Sequence, residues 1–388
     1  MFDFEAALKD IKNKGLNREL RNLETAQGPY SVIDGRRMLM MSSNNYLGLC
    51  NDIRLKRAAI ESIRKFGVGA GGSRLTCGNF TLHRELEERL AGFKQAESSI
   101  IFGSGYAANI GAISGIADKS CVIFCDRLNH ASIVDGIRLS GAKLVVYKHC
   151  DMDDLENKII RYHTGRGLIA TDGVFSMDGD IAPVDRIVKL AKKFNLMTMV
   201  DDAHATGVLG ENGRGTLEYF GLKDDVDINV GTLSKAFGVE GGFVAGKRKL
   251  IDFLRHRAKS FIYSTALAPH NIAAAVEALN IIETGQQARK ELAEKSIWLR
   301  SKLIKRCFDV PRGVTPIIPL MVGNVDTALK FSMLLYNEGI YIPAIRPPTV
   351  PKGTSRLRIS LMASHSYDDM EFAVENLVRF GRKLGVIP

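Results

Sequence analysis

From about residue 95 the chain alternates short apolar runs with stretches of helical periodicity. ESSIIF precedes GSGYAANIGAISGI, CVIFCD precedes HASIVDGIRLSG, and AKLVVYKH precedes the helix-like DMDDLENKIIRY. GLIATDG leads into PVDRIVKLAKKF, where Ile187, Val188, Leu190, Ala191 and Phe194 fall on one helical face. LMTMVDDAH, VDINVGTLSK and GGFVAG complete the series. Strands alternating with helices predict an α/β fold with a mostly parallel central sheet covered on both faces.

Two helical stretches follow, over 247–260 and 268–284, and then the pattern changes. TPIIPLMVG, the helix-like VDTALKFSMLLYNEG, IYIPAI and RLRISL read as a smaller α+β unit of roughly 100 residues. At the other end, MFDFEAALKDIKNKGLNRELRNLE reads as one charged amphipathic helix. The expected organisation is an N-terminal helix and arm (1–50) packing with the small domain, a large domain (51–285) and a small C-terminal α+β domain (286–388). The Pro-rich loop RPPTVPKGTSR carries arginines that make it a candidate for function rather than spacing.

Composition narrows the function classes. A hydrophobic fraction of 45% with 25% charged residues is ordinary for a globular protein. No apolar run has the length of a membrane span, and the N-terminal segment lacks a signal peptide's apolar core, so a cytoplasmic protein is expected. The net charge of +10 admits nucleic acid, an anionic membrane or a phosphate-bearing small ligand as partner. The basic residues are scattered, however, and no basic tail, zinc-finger or RNA-recognition signature is present. Small phosphate-bearing ligands are enough to account for it, and an ordinary solvated surface accounts for it equally well. Of six cysteines, only Cys121 and Cys125 lie close, and the VIF between them suggests one buried strand. Without a second pair they make a poor zinc site, so reduced, structural thiols are expected.

Four polar clusters each follow an apolar run directly: Asp126 to His130, Asp172 to Asp178, Asp201 to His204, and Thr232 to Lys235. Open α/β sheets bind ligands at the carboxyl ends of their strands, so the four are expected to form a single site. Lys235, in NVGTLSKAFGVEGG, stands where a strand gives way to hydroxyls and glycines. A lysine held there suits Schiff-base chemistry; alone, it could equally be a surface lysine in a Gly-rich turn. VDDAHATG adds an acid, Asp201, and an imidazole, His204, which could instead be capping groups, as could Asp202. His130 in DRLNHAS could stack on a flat cofactor or cap a helix. GSGYAAN is a glycine-flanked turn opening a helix, whose free amides could hold phosphate.

SNNYLGL, GAGGSRLTCGN with HRELE, GSGYAAN, DRLNHAS, TDGVFSMDGDIAP, VDDAHATG, GTLSKAFG, IYST and AIRPPTVP together resemble the α-oxoamine synthases. These belong to the aspartate-aminotransferase-like (fold type I) enzymes that use pyridoxal 5′-phosphate (PLP). The resemblance implies that Lys235 carries the cofactor, Asp201 pairs with its pyridine nitrogen and His130 stacks on its ring. Ser176 and His204 would contact the phenolic oxygen. Gly105, Tyr106 and Thr232 would hold the phosphate, with Ser264 and Thr265 of a partner subunit in a homodimer. Arg18, Asn44, Arg346 and Thr349 would line the substrate site, Arg346 as the carboxylate clamp. GGSRLTCGN and IRPPTVP are more similar to the branch that condenses L-alanine with a pimeloyl thioester, on coenzyme A or a carrier protein, than to the branch that uses glycine and acetyl-CoA. A PLP aminotransferase and a non-catalytic basic binding protein are the rival readings.

Overall fold

Short runs rich in Val, Ile and Phe form strands, and the amphipathic stretches between them form helices, in a computed structural model that describes residues 2–13, 16–17, 20–163, 165–223 and 225–388. The first strands, β1 (Tyr30–Ile33) and β2 (Arg36–Met40), pair antiparallel. Asp34 and Gly35 between them both have positive φ, 47° and 75°, the conformation that a two-residue hairpin turn demands.

The central sheet comprises β3 (Ser98–Phe102), β4 (Cys121–Asp126), β5 (Lys143–Tyr147), β6 (Arg166–Asp172), β7 (Met197–Asp201), β8 (Ile228–Thr232) and β9 (Gly242–Gly246). Their spatial order is β3-β9-β8-β7-β6-β4-β5. Strands β5, β4, β6, β7 and β8 run parallel, whereas β9 is antiparallel to both β8 and β3. The reversal has a simple cause: residues 233–241 are too few for the helical crossover that a parallel return requires. Alternate residues of β4 enter different cores. Ile123 and Cys125 join Ile133 and Ile251 on one face; Val122 and Phe124 join Ile169 and Ile187 on the other. Helices therefore cover both faces, and Cys121 and Cys125 are buried in one strand, free like the other four cysteines.

Beyond the helix Gln286–Lys305, β10 (Ile317–Gly323), β12 (Ala344–Ile345) and β13 (Ser355–Ser360) form an antiparallel sheet. The remaining strand, β11 (Ile340–Tyr341), leaves that group and pairs parallel with β2, while Ser42 bridges to Ser360. The N-terminal helix is shorter than expected. It spans Phe4–Asn13, buries none of its residues, and closes where the Leu16 amide returns to the Ile11 carbonyl at 2.9 Å. Asn13, Gly15 and Asn17 are weak helix formers. Further on, Leu23 bridges to Ile33 beside β1, so backbone pairing replaces the anticipated helical turns. Among the described residues no helix is long and apolar enough to cross a membrane.

Candidate active site

The sheet brings the four polar clusters to one edge. Asp126, Asp172, Asp201 and Thr232 are the last residues of β4, β6, β7 and β8. Asp172 and Asp201 are register partners, and Thr232 lies opposite Gly242. Facing Thr232 is the start of the helix Gly105–Ile116. Ser104 caps it, accepting from the Ala107 amide at 3.1 Å. A Cβ at Gly105 would stand 3.2 Å from the Thr232 side chain, so glycine allows this helix terminus to approach the strand closely. The result is a cradle of first-turn amides and a threonine hydroxyl, which suits phosphate.

One turn along the same helix, Asn109 donates to Asp201 Oδ2 at 2.6 Å and to Ser132 Oγ at 2.8 Å. The Ala203 amide donates to Asp201 Oδ1 at 2.9 Å. These donors are neutral and hold the carboxylate in place without cancelling its charge. Asp172 accepts from the His130 amide at 2.8 Å. Burial, and then Asp201 beside it, push the Asp172 carboxyl well above the usual range. Lys235 is half-buried and open to the cleft, yet protein atoms enclose its amine closely enough that burial lowers it to about 8. Asp201 and Asp172 oppose that shift; Arg358 adds to it.

His204 is buried, and burial followed by Lys235 and Arg358 drives its imidazole well below the ordinary value. Tyr46 Oη lies 2.6 Å from Nδ1. Burial raises the phenol, so it stays protonated, and its hydroxyl also reaches Asn44 Oδ1 at 3.3 Å. Arg358, itself buried, donates to Asn44 Oδ1 at 3.0 Å and to the Ser176 carbonyl at 2.5 Å.

Lys235, Asp201, His204, His130, Asn44, Ser176, Gly105 and Thr232 thus lie close together at the carboxyl ends of the strands. His130 also begins the helix Ala131–Ser140 and shares a 2.7 Å hydrogen bond with Ser132, so the capping reading describes it too. Tyr106 stands edge-on to His130, with ring centroids 6.4 Å apart, and donates to Asp135 at 2.5 Å. Arg346 donates to the Asn17 carbonyl at 3.1 Å, and the exposed Thr349 donates from its amide to the Arg346 carbonyl at 3.1 Å. Ser264 and Thr265 are exposed and line a small pocket with Arg74, His83 and Gly103. Arg18 lies outside the described residues. Asn109, Ser132, Tyr46 and Arg358 belong to the site but were not singled out from sequence. Asn109 and Tyr46 stand within GSGYAAN and SNNYLGL, where alternation and spacing carry no mark of their contacts.

Comparison with known proteins decides the family. The profile of aminotransferase class I and II matches residues 36–377. An 8-amino-7-oxononanoate synthase of Lysinibacillus sphaericus is 51% identical across 99% of both chains. A protein of Acetivibrio thermocellus that carries the same name provisionally is 85% identical over the full length of both. The chain belongs to the 8-amino-7-oxononanoate synthases. It is a PLP-dependent acyltransferase of the α-oxoamine synthase type with the fold type I architecture. A serine palmitoyltransferase from S. paucimobilis solved with bound PLP superposes at a TM-score of 0.94, with 32% identity over 99% of this chain and 98% of that one. The cleft fits this cofactor on its own terms. A buried carboxylate held only by neutral donors suits a pyridinium, the Gly105–Thr232 cradle suits a phosphate, and a lysine lowered to about 8 suits an aldehyde.

Proposed function

We propose that this chain condenses L-alanine with a pimeloyl thioester, on coenzyme A or an acyl carrier protein, giving 8-amino-7-oxononanoate, carbon dioxide and free thiol. The observation that carries the reading is the buried Asn109–Asp201 pair at 2.6 Å, set beside the low-pKa Lys235 in a chain 85% identical to a relative of that name. PLP, when bound, supplies the electron sink that makes a carbanion at the amino-acid Cα accessible. Asp201 keeps a proton on the pyridine nitrogen, and His130 covers the ring. Ser176 and His204 face the phenolic oxygen. Gly105, Tyr106 and Thr232 bind the phosphate, joined by Ser264 and Thr265 of a second copy in a homodimer.

Once its amine is free, Lys235 removes the Cα proton and later returns it, a role that needs an amine neutral near physiological pH. His130 donates to the thioester carbonyl as the carbon–carbon bond forms and the thiolate leaves. Asn44 and Thr349 line the substrate side, with Arg346 as carboxylate clamp and Arg358 as a second, buried guanidinium beside Asn44 and Ser176. We further propose the division at about residues 50 and 285, with the N-terminal arm joined to the small domain; the β2–β11 pairing supports it. Six free cysteines support a reducing, cytoplasmic setting.

The test is thiol release by the PLP-loaded protein with pimeloyl-CoA or acetyl-CoA, each combined with L-alanine or glycine. Preference for pimeloyl-CoA with L-alanine is expected. Preference for acetyl-CoA with glycine would keep the chemistry and overturn the substrates. Thiol release with none of the pairs would overturn the activity.

A further inference from the structure

Behind the strand ends that present His130 and Ser176, three loops bring together a histidine, a thiol and two carboxylates. Asp126 closes β4, His149 and Cys150 follow β5, and Asp180 ends the turn in which the Phe175 amide donates to the Asp180 carbonyl. His149 Nδ1 lies 2.9 Å from Asp126 Oδ1, and the Cys150 amide donates to Asp126 Oδ2 at 2.9 Å. On the far side of the ring, His149 Nε2 is 2.8 Å from Asp180 Oδ2 and 3.7 Å from Cys150 Sγ. Sγ is 3.8 Å from Asp180 Oδ2, and the other carboxylate oxygen of Asp180 is buried without a hydrogen-bond partner. Cys150 holds φ at 53°, a left-handed conformation unusual for cysteine, and its thiol lies within reach of the ring.

We propose that His149 Nε2, Cys150 Sγ and the Asp180 carboxylate form a binding site for a thiophilic divalent cation of the zinc or cobalt class, with Asp126 orienting the imidazole from behind. Tetrahedral ligands about 2.0–2.3 Å from a metal stand roughly 3.3–3.8 Å from one another. Two of the three separations, 3.7 and 3.8 Å, already meet that spacing. The third, at 2.8 Å, requires the carboxylate to move outward by about half an ångström. The Asp180 side chain is 39% exposed and can do so. Water completes the fourth position. Asp126 plays the part that outer carboxylates play for metal-bound histidines, fixing tautomer and ring orientation through Nδ1–H.

In the metal-free chain the His149 ring lies between two carboxylates, Asp126 at Nδ1 and Asp180 at Nε2. The cation displaces the Nε2 proton and the thiol proton, and both go to solvent, so uptake strengthens as pH rises. Asp126 stands four residues before His130 and Asp180 four after Ser176, so a bound cation would tie together the loops on two sides of the cleft. Its role is to fix those loops, apart from the PLP chemistry.

The experiment is titration of the reduced, PLP-loaded protein at about pH 8 with Co2+, followed by the visible ligand-field bands of tetrahedral cobalt and the thiolate-to-cobalt charge-transfer band. One Co2+ per chain is expected, together with a higher melting temperature in Zn2+. Cys150→Ser should remove the charge-transfer band and weaken binding at least about tenfold, and Asp180→Asn should weaken it while sparing the band. Both variants should keep the absorbance of the bound PLP, which reports an intact fold. No tetrahedral cobalt spectrum in the parent, an unchanged one in Cys150→Ser, or one that vanishes instead in Cys77→Ser or Cys307→Ser would overturn the site.

Discussion

Asp201 and Asp202 are neighbours at the end of one strand, both buried, and the structure treats their charges in opposite ways. Side chains alternate along a strand, so the two carboxylates face different surroundings. Asp202 faces inward to Lys94 at 3.0 Å, the Thr216 hydroxyl at 2.5 Å and Asn229 at 3.3 Å. Its charge is neutralised inside the protein. Asp201 receives only the Asn109 amide and the Ala203 backbone, both neutral, and has a second buried carboxyl, Asp172, opposite it in register. Among the described residues no lysine or arginine forms an ion pair with it; Lys235, which feels its charge, is the amine that meets the cofactor. A buried carboxylate without a cation costs stability, whereas a paired one is structural. The adjacent pair separates a residue kept for chemistry from one kept for the fold.

The most severe way to break the chemical side is Lys235→Ala. Turnover should disappear along with the absorbance of lysine-bound PLP, and a fully active variant would remove Lys235 from the mechanism. Asp201→Asn comes next. It keeps the shape and the Asn109 contact but loses the charge, so the protein should still take up PLP while kcat falls by about 10²–10⁴-fold. The unfolding midpoint should hold or rise, because a buried negative charge has been removed. Unchanged kcat would show that Asp201 holds no proton that matters.

Lys94→Met reverses the pattern. It leaves Asp202 buried without its cation and should cost about 3–5 kcal/mol in unfolding free energy. The folded fraction should retain its kcat. Adding Asp202→Asn to Lys94→Met should restore much of the stability, since the loss comes from an unpaired charge rather than from packing. A kcat that drops with Lys94→Met in fully folded protein would break the separation between the two aspartates.

Much of this was legible because strand ends in a parallel sheet are marked in sequence by a polar residue straight after an apolar run. Asp126, Asp172, Asp201 and Thr232 each carry that mark, and β4, β6, β7 and β8 converge on it. Arg358 carries no such mark. It alternates with Leu357 and Ile359 in RLRISL like any half-solvated strand residue, and only the packing of β13 beside residues 44 and 176 makes it part of the cleft. Arg356, two positions earlier, is equally buried and serves Asp178 at 2.5 Å instead. The strand β11, two residues long, joins β2 across about 300 residues of chain, and no local pattern announces a pairing so short. The N-terminal helix failed for a different reason: charge and amphipathicity continue past Asn13, but Leu23 finds a backbone partner in Ile33.

The finest way to sharpen the comparison uses the acidity of Lys235 as a gauge of the charge on Asp201. Burial lowers the amine to about 8, Asp201 and Asp172 hold it up, and Arg358 pushes it further down. Only the neutral amine adds to the PLP aldehyde, so the rate of PLP capture by the apo-protein should rise with pH and level off above about 8. Asp201→Asn removes a carboxylate that favours the charged amine, so the midpoint should move to lower pH. Arg358→Met removes an opposing cation and should move it higher. Asp202→Asn should leave the midpoint where it is, because Lys94 already neutralises that carboxylate. Equal shifts for Asp201→Asn and Asp202→Asn would mean that the amine senses both charges alike, and that the two aspartates are not electrostatically separate.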